Sequence, residues 1–77
     1  MSSAQSYADI KALPKQTPKR REAVRSFLRR HRGITRAAAA LASVDPSMVS
    51  KVLHGAAVSA PVENAIEQLE ATHEERQ

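Results

Sequence analysis

Prolines and glycines cut this chain into helices too short to stand alone. Thr17-Pro18 and Asp45-Pro46 each set a capping side chain directly ahead of a proline. Proline is tolerated at a first helical position, because the N–H it lacks would have no partner there. Pro61, after Ser59 or Ala60, opens a last segment in the same way, and Pro14 ends an early one. Gly33 and Gly55 stand where helices should stop. Isolated helices under about 12 residues are marginal in water. Each segment must therefore pack on the others.

The apolar spacing says how. "SYADIKALP" offers Ser6 as a cap with Asp9 three residues on, a capping-box pair, and Tyr7, Ile10 and Leu13 on one face. "TPKRREAVRSFLRRHRG" is a helix capped by Thr17 and stopped by Gly33, with Val24, Phe27 and Leu28 as its core stripe. "TRAAAALAS" takes Thr35 as its cap. Ile34, Ala38, Leu41 and Ala42 share a face, and the small alanines let another backbone come close. "DPSMVSKVLHG" is capped by Asp45 and closed by Gly55, with Val49, Val52 and Leu53 facing inward, and Val44 just before it is core too. The last helix runs from Pro61 to about Glu74 on Val62, Ala65, Ile66 and Leu69, with Glu63 and Glu67 outside. No sustained alternation marks a strand. The expected fold is all-α: a compact bundle of four to five short helices. Residues 1–16 form an arm, loose over 1–6 with a short helix at 6–13, and 17–77 form the main domain.

With 77 residues, the chain buries only about 60% of the surface its unfolded form exposes. No Cys is available for a disulfide. His31, His54 and His73 are far apart and lack an i, i+4 ligand spacing, so no metal site is expected. Helix packing alone must hold the fold. Absent Cys fits a reducing compartment. With no long apolar run early in the chain, a cytoplasmic protein with no membrane partner is expected.

Charge is divided along the chain. Ten of the twelve Lys and Arg lie between Lys11 and Arg36, and five of the eight acids between Glu63 and Glu75. A basic half calls for a polyanionic partner. The segment 46–54 suggests which. Its inner side is apolar, but Ser47, Ser50, Lys51 and His54 make its outer side small and polar. Such donors and acceptors suit base edges and phosphates in a major groove. Two short helices joined by about three residues, the second shaped this way, describe a helix-turn-helix.

"TRAAAALASVDPSMVSKVLH", residues 35–54, resembles the twenty-residue helix-turn-helix of Cro and lambda-repressor-like proteins. Those motifs ask for a small fifth residue, a turn residue at the ninth, and apolar residues at the tenth, fifteenth and eighteenth. Ala39, Ser43, Val44, Val49 and Val52 fill these places. "MVSKVLHG" is also similar to the recognition-helix end of the lac repressor family, but a helix ahead of the motif, 18–32, favours the lambda-repressor-like arrangement. One departure is Ser43 where Gly is usual, which costs on the order of 1 kcal/mol if that residue is left-handed. The resemblance implies that Pro46, Ser47, Ser50 and Lys51 meet bases, with His54 near the backbone. It also implies that Thr35 and Arg36 meet a phosphate at the first helix's N-terminus. The expected function is sequence-specific binding of double-stranded DNA by a small transcriptional regulator, a repressor. It would act as a homodimer on a palindromic operator, with no cofactor or small-molecule ligand. Ile66 with Leu69, or Tyr7 with Ile10 and Leu13, are candidates for the dimer surface, unless they only complete the monomer core.

Each assignment has a plainer alternative. Ser47 can be a capping-turn residue, Ser50 and Lys51 solvated positions, and His54 an ordinary helix end. The Arg run 29–32 can be a solvated end rather than a source of phosphate attraction. A protein-interaction module whose basic face binds an acidic partner is the competing function. Such a surface would carry aromatic or large apolar residues, which 47, 50, 51 and 54 lack. RNA binding is disfavoured because only Tyr7 and Phe27 are aromatic. No nucleophile–base pair or phosphate-cradling loop suggests an enzyme.

Overall fold

A computed structural model describes residues 6–75. The expected loose end lies largely at 1–5, outside the described residues. Five helices follow in order: α1 Tyr7–Lys11, α2 Pro18–Arg30, α3 Ile34–Ala42, α4 Pro46–His54 and α5 Ala60–Glu75. There is no strand among the described residues. The body measures 35 × 31 × 17 Å. Two packed helices lie about 8–10 Å apart, so the short dimension holds about two helices with the core between them.

Capping follows the sequence at three helix starts. The Ser6 hydroxyl accepts from the Asp9 N–H, and the Asp9 carboxylate accepts from the Ser6 N–H, completing the capping box. The Thr17 hydroxyl accepts from the Arg20 N–H and donates to the Pro14 carbonyl. The Asp45 carboxylate accepts from the Ser47 N–H at 3.0 Å. Hydrogen bonding from Ser47 holds the Asp45 carboxyl below its ordinary pKa, with a further contribution from Lys51.

The α2–α3 corner departs from expectation. α2 ends at Arg30, and Gly33 is not its stop: with φ 81° it is the N-cap of α3. Left-handed backbone is cheap for glycine, so Gly33 turns the chain within three residues. α3 accordingly starts at Ile34, and Thr35 is its second residue rather than its cap. His31, at the end of α2, is buried against the Phe27 ring with centroids 4.6 Å apart.

α3 and α4 end alike. Ser43 is left-handed (φ 58°), and the Val44 N–H reaches back to the Ala39 carbonyl at 2.9 Å. Gly55 is left-handed too, and the Ala56 N–H reaches the Lys51 carbonyl at 2.8 Å. This bond from just past the helix to its last turn stops each helix sharply. At Ser43 a residue with a Cβ takes the conformation that glycine takes at the second stop, and its strain is carried by the fold.

The core is built from Tyr7, Ile10, Val24, Phe27, Ile34, Val49, Val52, Leu53, Val62 and Ile66, with Ala23, Ala38, Ala39 and Ala65 between them. Leu13, Leu28, Ala42, Val44 and Leu69 are partly buried against it. The small residues of α3 let α5 lie close, and these two helices make the most extensive contact in the molecule. Tyr7, Ile10 and Ile66 are consumed by this core, so they do not offer the dimer surface considered from the sequence. Leu41 departs the other way. It is 54% exposed instead of facing inward with Ala38, because α5 covers the Ala38–Ala39 side of the helix.

Polar contacts with α5 tie remote segments. Glu70 of α5 accepts the Tyr7 N–H on its two carboxylate oxygens, at 3.3 and 3.2 Å. This satisfies a free donor at the start of α1 and places a negative charge at the positive helix end. Lys11, at the other end of α1, pairs with Glu63 at 3.1 Å and lies 3.9 Å from Glu67. The N-terminal segment is thus bolted to α5 at both ends of its helix. The buried Tyr7 phenol is pushed up to about 12 by desolvation, and Glu63 adds to the shift.

Candidate nucleic-acid interface

α4 is held from behind by main-chain atoms. Arg20, only 3% exposed, runs under its C-terminal turn. Its Nε donates to the Leu53 carbonyl at 2.8 Å, one Nη to the Val52 carbonyl at 3.3 Å, and the other to the Leu13 carbonyl at 3.2 Å. The Gln16 N–H donates to the His54 carbonyl at 2.9 Å. The last carbonyls of a helix lack internal partners and carry its negative dipole end. A guanidinium suits them, having several donors in a fixed fork. Lys15 closes the same junction: a Cβ on Gly55 would come within 2.8 Å of its side chain. Gln16 takes a left-handed φ of 57° to make the turn.

Held this way, α4 keeps Val49, Val52 and Leu53 fully inward. Pro46, Ser47 and Lys51 are exposed, while Ser50 and His54 are half-buried. These five residues lie together on one helix. Thr35 is half-buried and Arg36 exposed in the first turn of α3. The first main-chain bond of that helix joins the Ala37 N–H to the Gly33 carbonyl, so the Thr35 and Arg36 amides stand ahead of the ladder. The connection from α3 to α4 is three residues, Ser43 to Asp45.

The structure adds residues that were not expected from the sequence. An open cleft of about 490 Å³ lies between α2 and the C-terminal end of α4, lined by Gln16, Arg21, Val24, Arg25, Leu28 and His54. The linear signal is there in retrospect. Arg21 and Arg25 are one turn apart and flank Val24 and Leu28 of the core stripe. In the Arg run at 29–32, Arg29 and Arg32 are exposed, Arg30 is half-buried with its guanidinium 5.8 Å from the Phe27 ring centroid, and His31 is inside.

His54 titrates below its ordinary pKa of 6.5, first because it is partly desolvated and then because Arg21 and Arg20 disfavour a third cation. The unfolded chain takes up this proton more readily than the folded one, so stability is whole above the unfolded pKa. It falls as pH drops through that value, and levels off below the folded pKa. Thermal melts of wild type and His54→Gln between about pH 8 and pH 5 should show the smaller acid loss in the variant. Parallel curves would assign the acid loss to other groups.

No group of three or more metal-ligating side chains occurs among the described residues, and no helix there is long and apolar enough to cross a membrane. Comparison with protein families, with characterised proteins and with solved structures finds no match to this chain.

Proposed function

We propose that α3 and α4 act as a helix-turn-helix, and that the protein is a small transcriptional regulator, a repressor, that binds double-stranded DNA with α4 in the major groove. The observation that carries this is the division of α4. Val49, Val52 and Leu53 are spent on the core, leaving a small, polar, cationic outer side formed by Ser47, Ser50, Lys51 and His54. A helix of this size enters the major groove, and such side chains hydrogen-bond base edges and phosphates. The basic segment from Lys11 to Arg36 supplies the long-range attraction. One α4 offers few base contacts, so a homodimer on a palindromic site belongs to the proposal. Leu41 and Val58 are the large apolar side chains left exposed among the described residues. A cytoplasmic location belongs to it too, and the lack of Cys suits that compartment.

Selection of bound sites from random duplex DNA tests it, and an enriched palindrome is the expected result. Binding should weaken with salt by about 0.9 in log K per log salt for each phosphate neutralised. Lys51→Ala should lower affinity for all sequences alike and flatten that slope by about one if Lys51 meets a phosphate. If it meets a guanine edge, about 1–3 kcal/mol should be lost at a single base position. Ser50→Ala and Lys51→Ala should melt close to wild type. Unchanged binding in both would take this face off the DNA. No duplex binding at about 50 mM salt would leave the basic side to an acidic protein partner.

A further inference from the structure

The cleft beside α4 has a chemistry of its own. Two guanidiniums, an imidazole and a carboxamide converge on it over the apolar floor of Val24 and Leu28, and no carboxylate lines it. Arg21 and Arg25 are both exposed and one helical turn apart, a spacing at which like charges repel. Arg20 lies behind His54, committed to main-chain carbonyls, and Lys15 abuts Gly55 next to it. Lys51 lies one turn back on the same helix. The acid of α2, Glu22, lines a neighbouring hollow with Pro18 and the same two arginines, but not the cleft itself. Cations gathered on a wall that carries no carboxylate of its own are stabilised by an anion. Planar guanidinium forks match the paired oxygens of a phosphate.

We propose that this cleft is a phosphate site, in which Arg21, Arg25, Gln16 and His54 hold a backbone phosphate of the DNA strand that flanks α4. It rests on the DNA-binding proposal for the source of the phosphate, but not for the chemistry of the site. His54 joins the two surfaces, since it ends the outer face of α4 and also lines the cleft. The cleft is open and large for a single ion, as suits a strand passing along it. An anion placed there offsets the desolvation and the arginine repulsion that now hold His54 toward its neutral form. Binding should therefore draw a proton onto the imidazole and be tighter toward acid pH.

The test has two arms, run on the full chain. In the first, duplex DNA is titrated at several salt concentrations with wild type, Arg21→Gln/Arg25→Gln and Lys19→Gln. Lys19→Gln removes a charge from α2 outside the cleft and sets the bulk effect. The double variant is expected to flatten the log K against log salt slope by roughly 0.9, the one phosphate the cleft holds, with the preferred base sequence unchanged. In the second, inorganic phosphate is titrated while the His54 ring resonances are followed by NMR, expecting a raised imidazole pKa in wild type only. A flattened slope beyond that of Lys19→Gln assigns the cleft to DNA backbone. A phosphate response of His54 without any slope change assigns it to a free phosphate ester. Wild type that binds DNA with an unaltered slope in the double variant, and shows no phosphate response, overturns the site while the DNA-binding proposal stands. Wild type that binds no DNA defeats that proposal, and the phosphate arm alone then decides the cleft. The single variants, each expected to remove half the effect, serve if the pair melts early.

Discussion

Val49→Asp should abolish the folded state at room temperature. Val49 is fully buried on the inward side of α4, in the layer shared with α3 and α5. An unpaired carboxylate there costs several kcal/mol to bury. A chain of this size has a total stability of roughly 4–12 kcal/mol, and at 0% exposure the position gives the charge no route to water. Circular dichroism should show the loss of helix and of a cooperative melt. Val49→Ala should stay folded and melt on the order of 10 °C lower, since it removes about 2 kcal/mol of transfer and cavity energy. A Val49→Asp variant with a wild-type melt would mean that α4 is turned differently from the orientation described.

Arg20→Met should be the next most damaging change. Methionine keeps the apolar stem and removes the fork, so the loss isolates the hydrogen bonds. Two effects oppose each other. Release of a buried cation from its desolvation cost is favourable. Loss of three charge-assisted bonds, which leaves the carbonyls of Leu13, Val52 and Leu53 poorer in partners, is unfavourable. Bonds to charged groups contribute about 1.5–3 kcal/mol each, and three of them share one side chain, so loss wins. A net cost of about 2–4 kcal/mol is expected, or on the order of 10–20 °C in melting temperature. Arg20→Lys should recover little, because an ammonium cannot span carbonyls on two segments. A melt within a few degrees of wild type for Arg20→Met would show that the packing of the stem, not the fork, holds this junction.

What could be read in the chain was local. Thr17 and Asp45 sit directly before their prolines, and the inward side of α4 follows from the spacing of Val49, Val52 and Leu53 alone. Gly33 shows the limit of that method. Its position between two helical patterns is equally good for a stop and for a start, and the choice depends on where His31 is buried. Periodicity points Leu41 inward, but the buried face is chosen by where α5 lies, and the small Ala38–Ala39 side admits it. Arg20 and Glu70 look like surface charges in the sequence. Their partners are the carbonyls of Val52 and Leu53 and the amide of Tyr7, separated by more than thirty and more than sixty positions, and main-chain atoms carry no residue-type signature. For the candidate interface, Pro46, Ser47, Ser50, Lys51 and His54 are found on one helix as expected, whereas the contribution of Gln16, Arg21 and Arg25 depends on how α2 lies against α4.

The grip on α4 has a consequence for how such a surface can change. Arg20 and Gln16 hold the backbone carbonyls of Val52, Leu53 and His54, and never an outward side chain. Every amino acid that continues the helix presents the same carbonyl in the same place. The support is therefore blind to what Ser47, Ser50 and Lys51 become, and the inward valines and leucine are equally indifferent to them. Evolution, or a combinatorial library, can rewrite the outer positions of this helix while the framework beneath stays constant. The atoms that hold α4 in place are thereby separate from those it presents outward.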